Sequence, residues 1–299
     1  MNFDGCCDLN RAKHFDRVAG SDPPNSPLLT SDDPKAVRIG HPDGGSPVFL
    51  TCEHAGREIP QNLDGLGVHE SELERHIAWD IGAENVARHL SGLLDATLVV
   101  QTYSRLVIDC NRALHRQDSI PKVSDNTVIP GNENLHPVEA AARATEIFQP
   151  YHRSITNALD HRQRKGRSSV LVAVHSFTPV FNGVERPWHV GILFNRDDRL
   201  ANILVDLIGE HANLCMGKNE PYAISDETDY TIPVHGERRG IPHIEFEIRQ
   251  DLITTQKGQR EWAGYLGNWL SESLNVLDVL GTGDKTAGHA PPPSVERRK

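Results

Sequence analysis

The sequence predicts an α/β fold in which helices cover both faces of a β-sheet. Two observations indicate this fold. Short apolar runs alternate along the chain with longer amphipathic segments, as expected when strands and helices alternate. The apolar runs are also mostly continuous in apolar character, which is typical of strands that are buried on both faces.

Six runs are predicted to be strands. The first reads Val-Phe-Leu-Thr-Cys and contains no charged residue. Most of the others share this apolar character, whereas apolar and charged residues alternate in the last one. The predicted strands are residues 48–52, 96–100, 106–110, 170–175, 190–194 and 243–249.

Four amphipathic segments are predicted to be helices. Ser71 and Glu74 have the spacing of a capping box, which predicts a helix from residue 71 to about residue 94. Pro137 would lie in the first turn of a second helix that extends to about residue 165. Two further helices are predicted from residue 199 to about 213 and from about 254 to 280.

The chain of 299 residues is predicted to form one catalytic domain at residues 36–281. Residues 1–35 and 282–299 contain few branched apolar side chains, so we expect both segments to be flexible tails.

The composition limits the partners that the protein can have. A formal net charge of -10 without a basic run argues against nucleic acid and against anionic membranes. The sequence shows no signal peptide and no transmembrane run. The cysteines are odd in number and lack metal-type pairing, which fits the reducing cytoplasm. We therefore expect a cytoplasmic protein with a small-molecule partner. The five cysteines are Cys6, Cys7, Cys52, Cys110 and Cys215.

Polar side chains follow two of the predicted strands, where the active sites of open α/β sheets lie. The strand at 48–52 runs into Glu53, His54 and Glu58, and the apolar run at 170–174 ends at His175. Imidazole and carboxylate groups are normal zinc ligands, so the two histidines can converge on one ion. Alternatively, each histidine is hydrogen-bonded within the protein and has a structural role.

Two further places combine charged and apolar residues. Asp109, Asn111 and Arg112 follow an apolar run, and a guanidinium group there can bind a substrate carboxylate through two hydrogen bonds. A structural ion pair between Asp109 and Arg112 is the alternative. Asp80 lies in an otherwise apolar stretch of the predicted helix, where aspartate is unfavourable without a partner. That partner is either a metal ion or the guanidinium group of Arg105 or Arg112.

The last predicted strand places Glu245, Glu247 and Arg249 on one side if the intervening apolar residues face inward. From periodicity alone, a half-exposed edge strand with a solvated charged face is favoured over a functional site.

Taken together, these residues make the chain similar to the N-formylglutamate amidohydrolase family over about residues 48–270. Each matching segment is short, and the six are specific only in combination. They are CEHAGREIP at 52–60, HIAWDIGA at 76–83, YSRLVIDCNR at 103–112, HSFTP at 175–179, NEPY at 219–222 and IEFEIRQDL at 244–252.

That family is similar in fold to the zinc carboxypeptidases and the aspartoacylase-like deacylases. The resemblance implies a three-layer α/β/α sandwich with a mixed, mostly parallel sheet of the phosphorylase/hydrolase type. It also implies one zinc ion, with His54 and His175 as ligands. Carboxypeptidases place a second ligand three residues after the first histidine, where this chain has an arginine that cannot ligate. We therefore expect Asp80 to be the carboxylate ligand, with Glu58 as second choice and Glu53 as third.

The resemblance also implies how a substrate would be bound and cleaved. Residues 246–249 are similar to the carboxypeptidase segment that carries the catalytic glutamate, which makes Glu247 the expected proton shuttle. Asn111 and Arg112 would hold a substrate carboxylate, and Arg105 would assist in binding or polarise the carbonyl group. The implied reaction converts N-formyl-L-glutamate to formate and L-glutamate, a step of histidine breakdown in bacteria.

Three alternatives stay open. An arginine that binds a carboxylate does not choose between formyl, acetyl and succinyl groups, so another N-acyl amino acid deacylase is one alternative. A zinc peptidase that acts on short peptides or peptidoglycan stems is another. A non-catalytic binding protein is the third, and it is disfavoured because His54, Asp80, His175 and Glu247 are all present.

Overall fold

The computed structural model describes residues 27–211 and 213–283. Its centre is one seven-stranded sheet. In chain order the strands are β1 (Val37–Gly40), β2 (Val48–Cys52), β3 (Thr97–Gln101), β4 (Val170–Phe177), β5 (Val190–Leu193), β6 (Met216–Lys218) and β7 (His243–Arg249). They lie side by side in the order β1-β3-β2-β4-β7-β5-β6.

The sheet is mixed and mostly parallel, as predicted. Strands β3, β2, β4 and β7 run parallel to one another, and β6 runs parallel to β5. Strand β1 pairs antiparallel with β3, and β5 pairs antiparallel with β7. The carboxyl ends of the four central strands therefore meet at one edge of the sheet.

Helices cover both faces of the sheet. They are α1 (Glu70–Leu73), α2 (Ala83–Leu94), α3 (Pro130–Glu133), α4 (Pro137–Arg143), α5 (Gln149–Arg164), α6 (Arg199–Gly209) and α7 (Gln256–Gly283). A π-helical turn, Ala144–Phe148, joins α4 to α5, so the helix predicted from Pro137 is confirmed with one irregularity. Short helical turns occur at Gln61–Gly67, Gln117–Ser119, Ile232–Gly236, Glu237–Arg239 and Gln250–Leu252.

Two small hairpins lie outside the main sheet. The first hairpin pairs Val123–Ser124 with Thr127–Val128, and the second pairs Val180–Phe181 with Val184–Glu185.

Side-chain alternation along the strands builds a core on each face. Leu50 and Val172 point to one face and join α2, α6 and α7 in one cluster. Phe49 and Leu171 point to the other face and join Ile155 of α5 in a second cluster. Both faces are buried, so the prediction of a three-layer sandwich is confirmed.

The strand predicted at residues 106–110 is wrong. This segment forms turns, although Leu106 and Val107 are fully buried. Its backbone carbonyl groups are satisfied by side chains rather than by a neighbouring strand: Asn132 Nδ2 donates to the carbonyl of Leu106 at 2.8 Å, and Arg143 Nη1 donates to that of Val107 at 2.9 Å. Buried apolar residues with such partners need no strand.

The single helix predicted from residue 71 to about 94 is also wrong, because α1 ends at Leu73 and α2 begins at Ala83. The cap of α1 is His69, whose Nδ1 accepts a hydrogen bond from the backbone N–H of Ser71. Gly82 has a φ of 83°, and a Cβ atom there would lie 2.3 Å from a backbone oxygen of Ile253. Asp80 therefore lies in an irregular segment rather than in a helix.

The final strand β7 is not at the edge of the sheet. It lies between β4 and β5, so the edge-strand interpretation from periodicity is wrong. Glu245 and Glu247 are 3 % and 6 % exposed, and the charged face of β7 is therefore inside the protein.

Residues 27–35, which the sequence assigned to the N-terminal tail, contact the domain. The backbone N–H groups of Leu28 and Leu29 donate to the carboxylate of Glu146 at 2.8 and 2.9 Å. The rest of the predicted N-terminal tail, with Cys6 and Cys7, and residues 284–299 of the C-terminal tail lie outside the described residues. Within residues 27–211 and 213–283, no helix has the length and apolar character needed to cross a membrane.

Candidate active site

A cavity of about 500 Å³ opens at the carboxyl ends of β2, β4 and β7. This is the edge of an open α/β sheet where ligands commonly bind. It brings together residues that the sequence had singled out in separate segments. Those that line the cavity are His54, Asp80, Arg105, Asp109, Asn111, Arg112, His175, Glu245 and Glu247.

Three side chains in the cavity form a group that could hold a metal ion. His54 follows β2, His175 lies near the end of β4, and Asp80 lies in the loop before α2. Nδ1 of His175 lies 3.1 Å from Nδ1 of His54 and 2.9 Å from Oδ2 of Asp80. Nδ1 of His54 lies 3.5 Å from the same oxygen. Donors around a tetrahedral zinc ion are about 3.3 Å apart, since each metal–ligand bond is about 2.0–2.1 Å.

Backbone hydrogen bonds fix the loop that carries Asp80. Its own N–H donates to the carbonyl of His54 at 2.8 Å. The N–H of Ser176 donates to Oδ2 of Asp80 at 3.2 Å, and the Ser176 hydroxyl donates to the carbonyl of Ile81 at 3.0 Å. The loop is thus attached to the ends of both β2 and β4.

The second ring nitrogen of each histidine faces another carboxylate. Nε2 of His54 lies 2.7 Å from Oδ1 of Asp109, and Nε2 of His175 lies 2.9 Å from Oε2 of Glu53. Carboxylates in this position orient metal-binding histidines and select the tautomer that leaves the other nitrogen free. Both Nδ1 atoms are therefore directed into the candidate metal site.

These carboxylates are buried and charged. Burial alone would raise the pKa of Asp109, but the guanidinium group of Arg105 and the His54 ring hold it well below its usual range. Burial likewise opposes ionisation of Glu53, whose pKa is nevertheless lowered to about 2 by His175. Both side chains are thus anionic at neutral pH, Asp109 as the hydrogen-bond partner of His54 and Glu53 as the ion-pair partner of His175.

The structure separates the three carboxylates that the sequence offered as ligands. Asp80 faces both Nδ1 atoms. Glu53 faces the opposite nitrogen of His175, and Glu58 is exposed and forms a backbone bridge with Tyr103. Asp80 is therefore the carboxylate that the fold brings to the two histidines.

Glu245 and Glu247 approach the same site from β7. Glu247 is the register partner of His175 on the neighbouring strand, and one ligand atom from each of His175, Glu245 and Glu247 lies within 4.8 Å of the others. Oε2 of both glutamates has no hydrogen-bond partner among the described residues. Burial raises the pKa of Glu245 to about 8 and that of Glu247 well above its ordinary value, with His175 opposing both shifts.

The arginines of the cavity differ in how they are held. Arg105 Nη2 donates to Oδ2 of Asp109 at 2.8 Å, and its Nη1 lies 3.5 Å from Oδ1 of Asp80. Among the described residues Arg112 donates only to the carbonyl of Asn111, at 3.1 Å, and it lies 3.5 Å from Asp118 and 3.9 Å from Asp229. Most of its donors are thus available to a ligand.

Asn111 contacts the loop that follows residue 228. Its Oδ1 accepts hydrogen bonds from the N–H groups of Tyr230 and Thr231, both at 3.0 Å. Its Nδ2 donates to Asp229 at 3.1 Å, and its second amide N–H has no partner in the part of the chain that the structure describes. The side chain therefore stabilises the wall of the cavity.

Three residues at the rim of the cavity were not singled out from the sequence. Phe181 of the second hairpin and Tyr222 line the cavity, and Arg186 contacts both rings. Tyr222 belongs to the NEPY segment, but nothing in that segment indicates that it faces a hairpin 36 residues earlier. Only the fold brings these residues together.

Comparison with known proteins identifies the family. The model of the N-formylglutamate amidohydrolase family matches residues 46–254, which include all of the residues just described. The chain belongs to the N-formylglutamate amidohydrolase family. Membership supports amide hydrolysis of substrates that resemble N-acyl amino acids.

Solved structures share the fold of this chain. The gene product Atu2144 from Agrobacterium tumefaciens is 37% identical, with a TM-score of 0.81 over 84% of this chain and 99% of that chain. N-formylglutamate amidohydrolase from Ralstonia eutropha JMP134 shares the fold at 17% identity, with a TM-score of 0.57 over 83% of this chain and 99% of that chain. No curated protein matches the sequence with significance.

Proposed function

We propose that the protein is a zinc-dependent amidohydrolase of the cytoplasm that cleaves N-formyl-L-glutamate to formate and L-glutamate. The observation that carries this proposal is the convergence of Nδ1 of His54, Nδ1 of His175 and Oδ2 of Asp80 within 3.5 Å of one another in the cavity. Two imidazoles and one carboxylate are a donor set typical of catalytic zinc, which keeps its fourth position open.

The three side chains fit a divalent ion in charge as well as in spacing. All are buried, at 2–4 % exposure, and a divalent ion would add to the guanidinium group of Arg105 in neutralising the charge of Asp80. A zinc ion in such a site acts as a Lewis acid towards a carbonyl oxygen and lowers the pKa of water to roughly 7.

Glu247 is suited to move the proton in this reaction. Its Oε2 is buried, has no hydrogen-bond partner among the described residues and lies beside His175. In the proposed reaction Oε2 accepts the proton of the attacking water and returns it to the nitrogen of the departing amino acid. Burial raises the pKa of Glu247, which favours return of the proton to the leaving nitrogen and disfavours its uptake from water.

The guanidinium groups position the substrate. Most N–H groups of Arg112 have no hydrogen-bond partner among the described residues, so its planar guanidinium group can bind a carboxylate of the amino acid. Asn111 supports the adjacent wall and has one N–H left to donate. Arg105, held by Asp109 next to Asp80, is placed to polarise the carbonyl oxygen of the amide.

The test combines metal analysis with a substrate panel. Protein purified without chelators is analysed for divalent ions, stripped, reloaded with zinc and assayed for amine release from N-formyl-, N-acetyl- and N-succinyl-L-glutamate and from a dipeptide. We expect zinc-dependent release, fastest from the formyl compound. Equal inactivity with and without zinc would support a binding protein, and preference for the dipeptide would support a peptidase.

A further inference from the structure

The first hairpin, residues 123–128, forms one wall of the cavity. Val123, Ser124 and Asp125 line the cavity, as does Pro121 just before the hairpin. The side chains that could hold a metal ion come from other segments of the chain. The hairpin can therefore contact a ligand in the cavity without contributing to metal binding.

The hairpin is too small to hold its own position. Each of its strands has two residues, and isolated two-stranded hairpins are at best marginally stable. Val123 and Val128 are 56 % and 50 % exposed, so apolar packing contributes little. The base of the hairpin is fixed, because Nδ2 of Asn132 donates to the carbonyl of Pro121 at 2.7 Å. The tip needs an anchor from another segment.

Arg75 anchors this tip. Its Nη2 donates to Oδ2 of Asp125 at 2.6 Å, and its Nη1 donates to Oγ1 of Thr127 at 3.0 Å. Nη1 also pairs with the carboxylate of Glu72, to which the Thr127 hydroxyl donates. Asp125 and Asn126 have φ angles of 42° and 65°, as in the tight turns that fit the twist of a hairpin. A planar guanidinium group with two contacts at the tip thus fixes both its distance and its orientation.

The residue after Arg75 lies beside the tip and also lines the cavity. Nε2 of His76 is 3.6 Å from Oδ2 of Asp125, is buried and has no hydrogen-bond partner among the described residues. Burial lowers the pKa of His76, so its ring is neutral at pH 7. Buried polar atoms normally have a partner, and a polar group of a bound ligand can supply one here. The position of the hairpin therefore bears on ligand binding.

Arg75 and Thr127 can affect the cavity only through the hairpin, because neither is among the described residues that line it. We propose that Arg75 is a positioning residue that holds the first hairpin against the cavity and thereby sets the affinity for substrate. This inference rests on the proposed function and names a residue that controls how the same site takes up its substrate.

The expected effect falls on binding rather than on chemistry. If substrate binds well only when the hairpin is in place, its apparent affinity falls in proportion to the population in which the hairpin is displaced. The metal ligands and Glu247 belong to other segments, so the chemical step should proceed normally once substrate is bound.

The test compares variants that loosen the hairpin from either side. They are Arg75→Met, Arg75→Lys and Thr127→Val. Arg88→Met is the matched control, because Arg88 also pairs with a glutamate, has a similarly exposed side chain (44 % against 35 % for Arg75) and is not among the described residues that line the cavity. For each protein, kcat, KM and zinc content are measured with the best substrate of the panel. Hydrogen exchange at residues 121–129 is followed by mass spectrometry without substrate.

We expect Arg75→Met to raise KM about 3- to 10-fold and to speed exchange in the hairpin, with kcat and zinc content near those of the wild type. Thr127→Val should act in the same direction and serves if Arg75→Met does not fold. Arg75→Lys should lie between Arg75→Met and the wild type, and Arg88→Met should match the wild type throughout.

Two results would overturn the inference: exchange that stays slow in Arg75→Met and Thr127→Val, or a KM that does not change although exchange is faster. A loss confined to kcat would also contradict it. If the wild type hydrolyses no N-acyl amino acid, the proposed function fails, and hydrogen exchange alone then decides whether Arg75 holds the hairpin.

Discussion

Nδ1 of His54 lies 3.1 Å from Nδ1 of His175, although the two residues are 121 positions apart in the chain. Oδ2 of Asp80 lies 2.9 Å from the second of these nitrogens. Since the other nitrogen of each ring faces a carboxylate, both Nδ1 atoms are left as electron-pair donors. Three such groups can share a proton or a metal ion, which makes metal content the first property to test.

His54→Ala, His175→Ala and Asp80→Ala should each lose most of the bound zinc and most of the activity. The ligands lie at strand ends and in a loop, outside both apolar clusters, so the variants should keep the fold. Zinc is measured by mass spectrometry and folding by circular dichroism on the same samples. Glu58→Ala is the control and should keep its metal, because Glu58 is exposed and does not line the cavity. If only Glu58→Ala loses zinc, then Glu58 and not Asp80 is the carboxylate ligand.

Asp109→Asn should weaken zinc binding by about 10- to 100-fold, the usual effect of removing a carboxylate that orients a metal-binding histidine. The amide can still accept from Nε2 of His54, but it loses the charge that favours this tautomer and that attracts Arg105. Zinc affinity is measured by competition with a chromophoric chelator. Asp118→Asn, at an exposed carboxylate that pairs with Arg116 and contacts Arg112, should leave the affinity unchanged. Equal affinities for Asp109→Asn and the wild type would exclude this role.

The sequence predicted the central strands β2, β3 and β4 because each is an apolar run bounded by polar residues, and β7 because apolar and charged residues alternate in it. Residues 106–110 have the same pattern but form a buried loop, since Asn132 and Arg143 supply hydrogen bonds that a strand would have received from its neighbour. Periodicity cannot detect such partners from distant segments. Strands β1 and β6 were missed, because they are short edge strands with few apolar residues.

The residues of the candidate metal site could be predicted from the sequence by type, but their arrangement could not. Two histidines at strand ends indicated a metal site, and the resemblance selected Asp80 over Glu58 and Glu53. The contact between His54 and Asp109 spans 55 positions, and no local pattern encodes it. The helix break at Gly82, which places Asp80 in a loop, depends on the close approach of Ile253. This break could not be predicted from the local sequence either.

Glu247→Gln should lower kcat by about two to four orders of magnitude while zinc and substrate still bind, because the amide cannot accept the proton of water. Glu245→Gln should have a much smaller effect. Both residues lie on the same face of β7 and are nearly equally buried, so each controls for the other. Zinc must be determined in the same samples, since lost metal mimics lost catalysis. If Glu247→Gln keeps full zinc and a near wild-type kcat, another group must shuttle the proton.

Arg112→Lys should reduce kcat/KM for acidic N-acyl amino acids markedly. Lysine keeps the charge but lacks the planar fork that binds a carboxylate through two hydrogen bonds. Zinc content should stay normal, because Arg112 does not contact His54, Asp80 or His175 in the structure. Unchanged steady-state kinetics would show that Arg112 has only a structural role.

A pair of histidines behind the cavity should make stability depend on pH. Nδ1 of His152 lies 3.0 Å from Nε2 of His235, and Nε2 of His152 lies 2.8 Å from the carbonyl oxygen of Cys110. His152 therefore donates to the carbonyl and accepts from His235, which requires a neutral His152 ring. Burial lowers the pKa of His152 to about 4 and that of His235 to about 3.

His152→Gln should reduce the loss of stability that the wild type shows between pH 7.5 and pH 5. In the unfolded chain, His152 becomes protonated as the pH falls below its ordinary pKa of 6.5. In the folded protein the ring stays neutral until the pH falls to about 4. Stability from this group is therefore complete above pH 6.5 and is lost as the pH falls towards 4, by about 2 kcal/mol at pH 5. Urea denaturation at the two pH values measures the difference in free energy of unfolding for each protein.

His161→Gln is the control, because His161 is exposed on the same helix α5, and it should retain the wild-type pH dependence. Glutamine at 152 does not titrate, so the two free energies of that variant should lie closer together by about the same 2 kcal/mol. If His152→Gln loses as much stability between pH 7.5 and pH 5 as the wild type does, the His152 ring is already protonated at pH 5 in the folded protein.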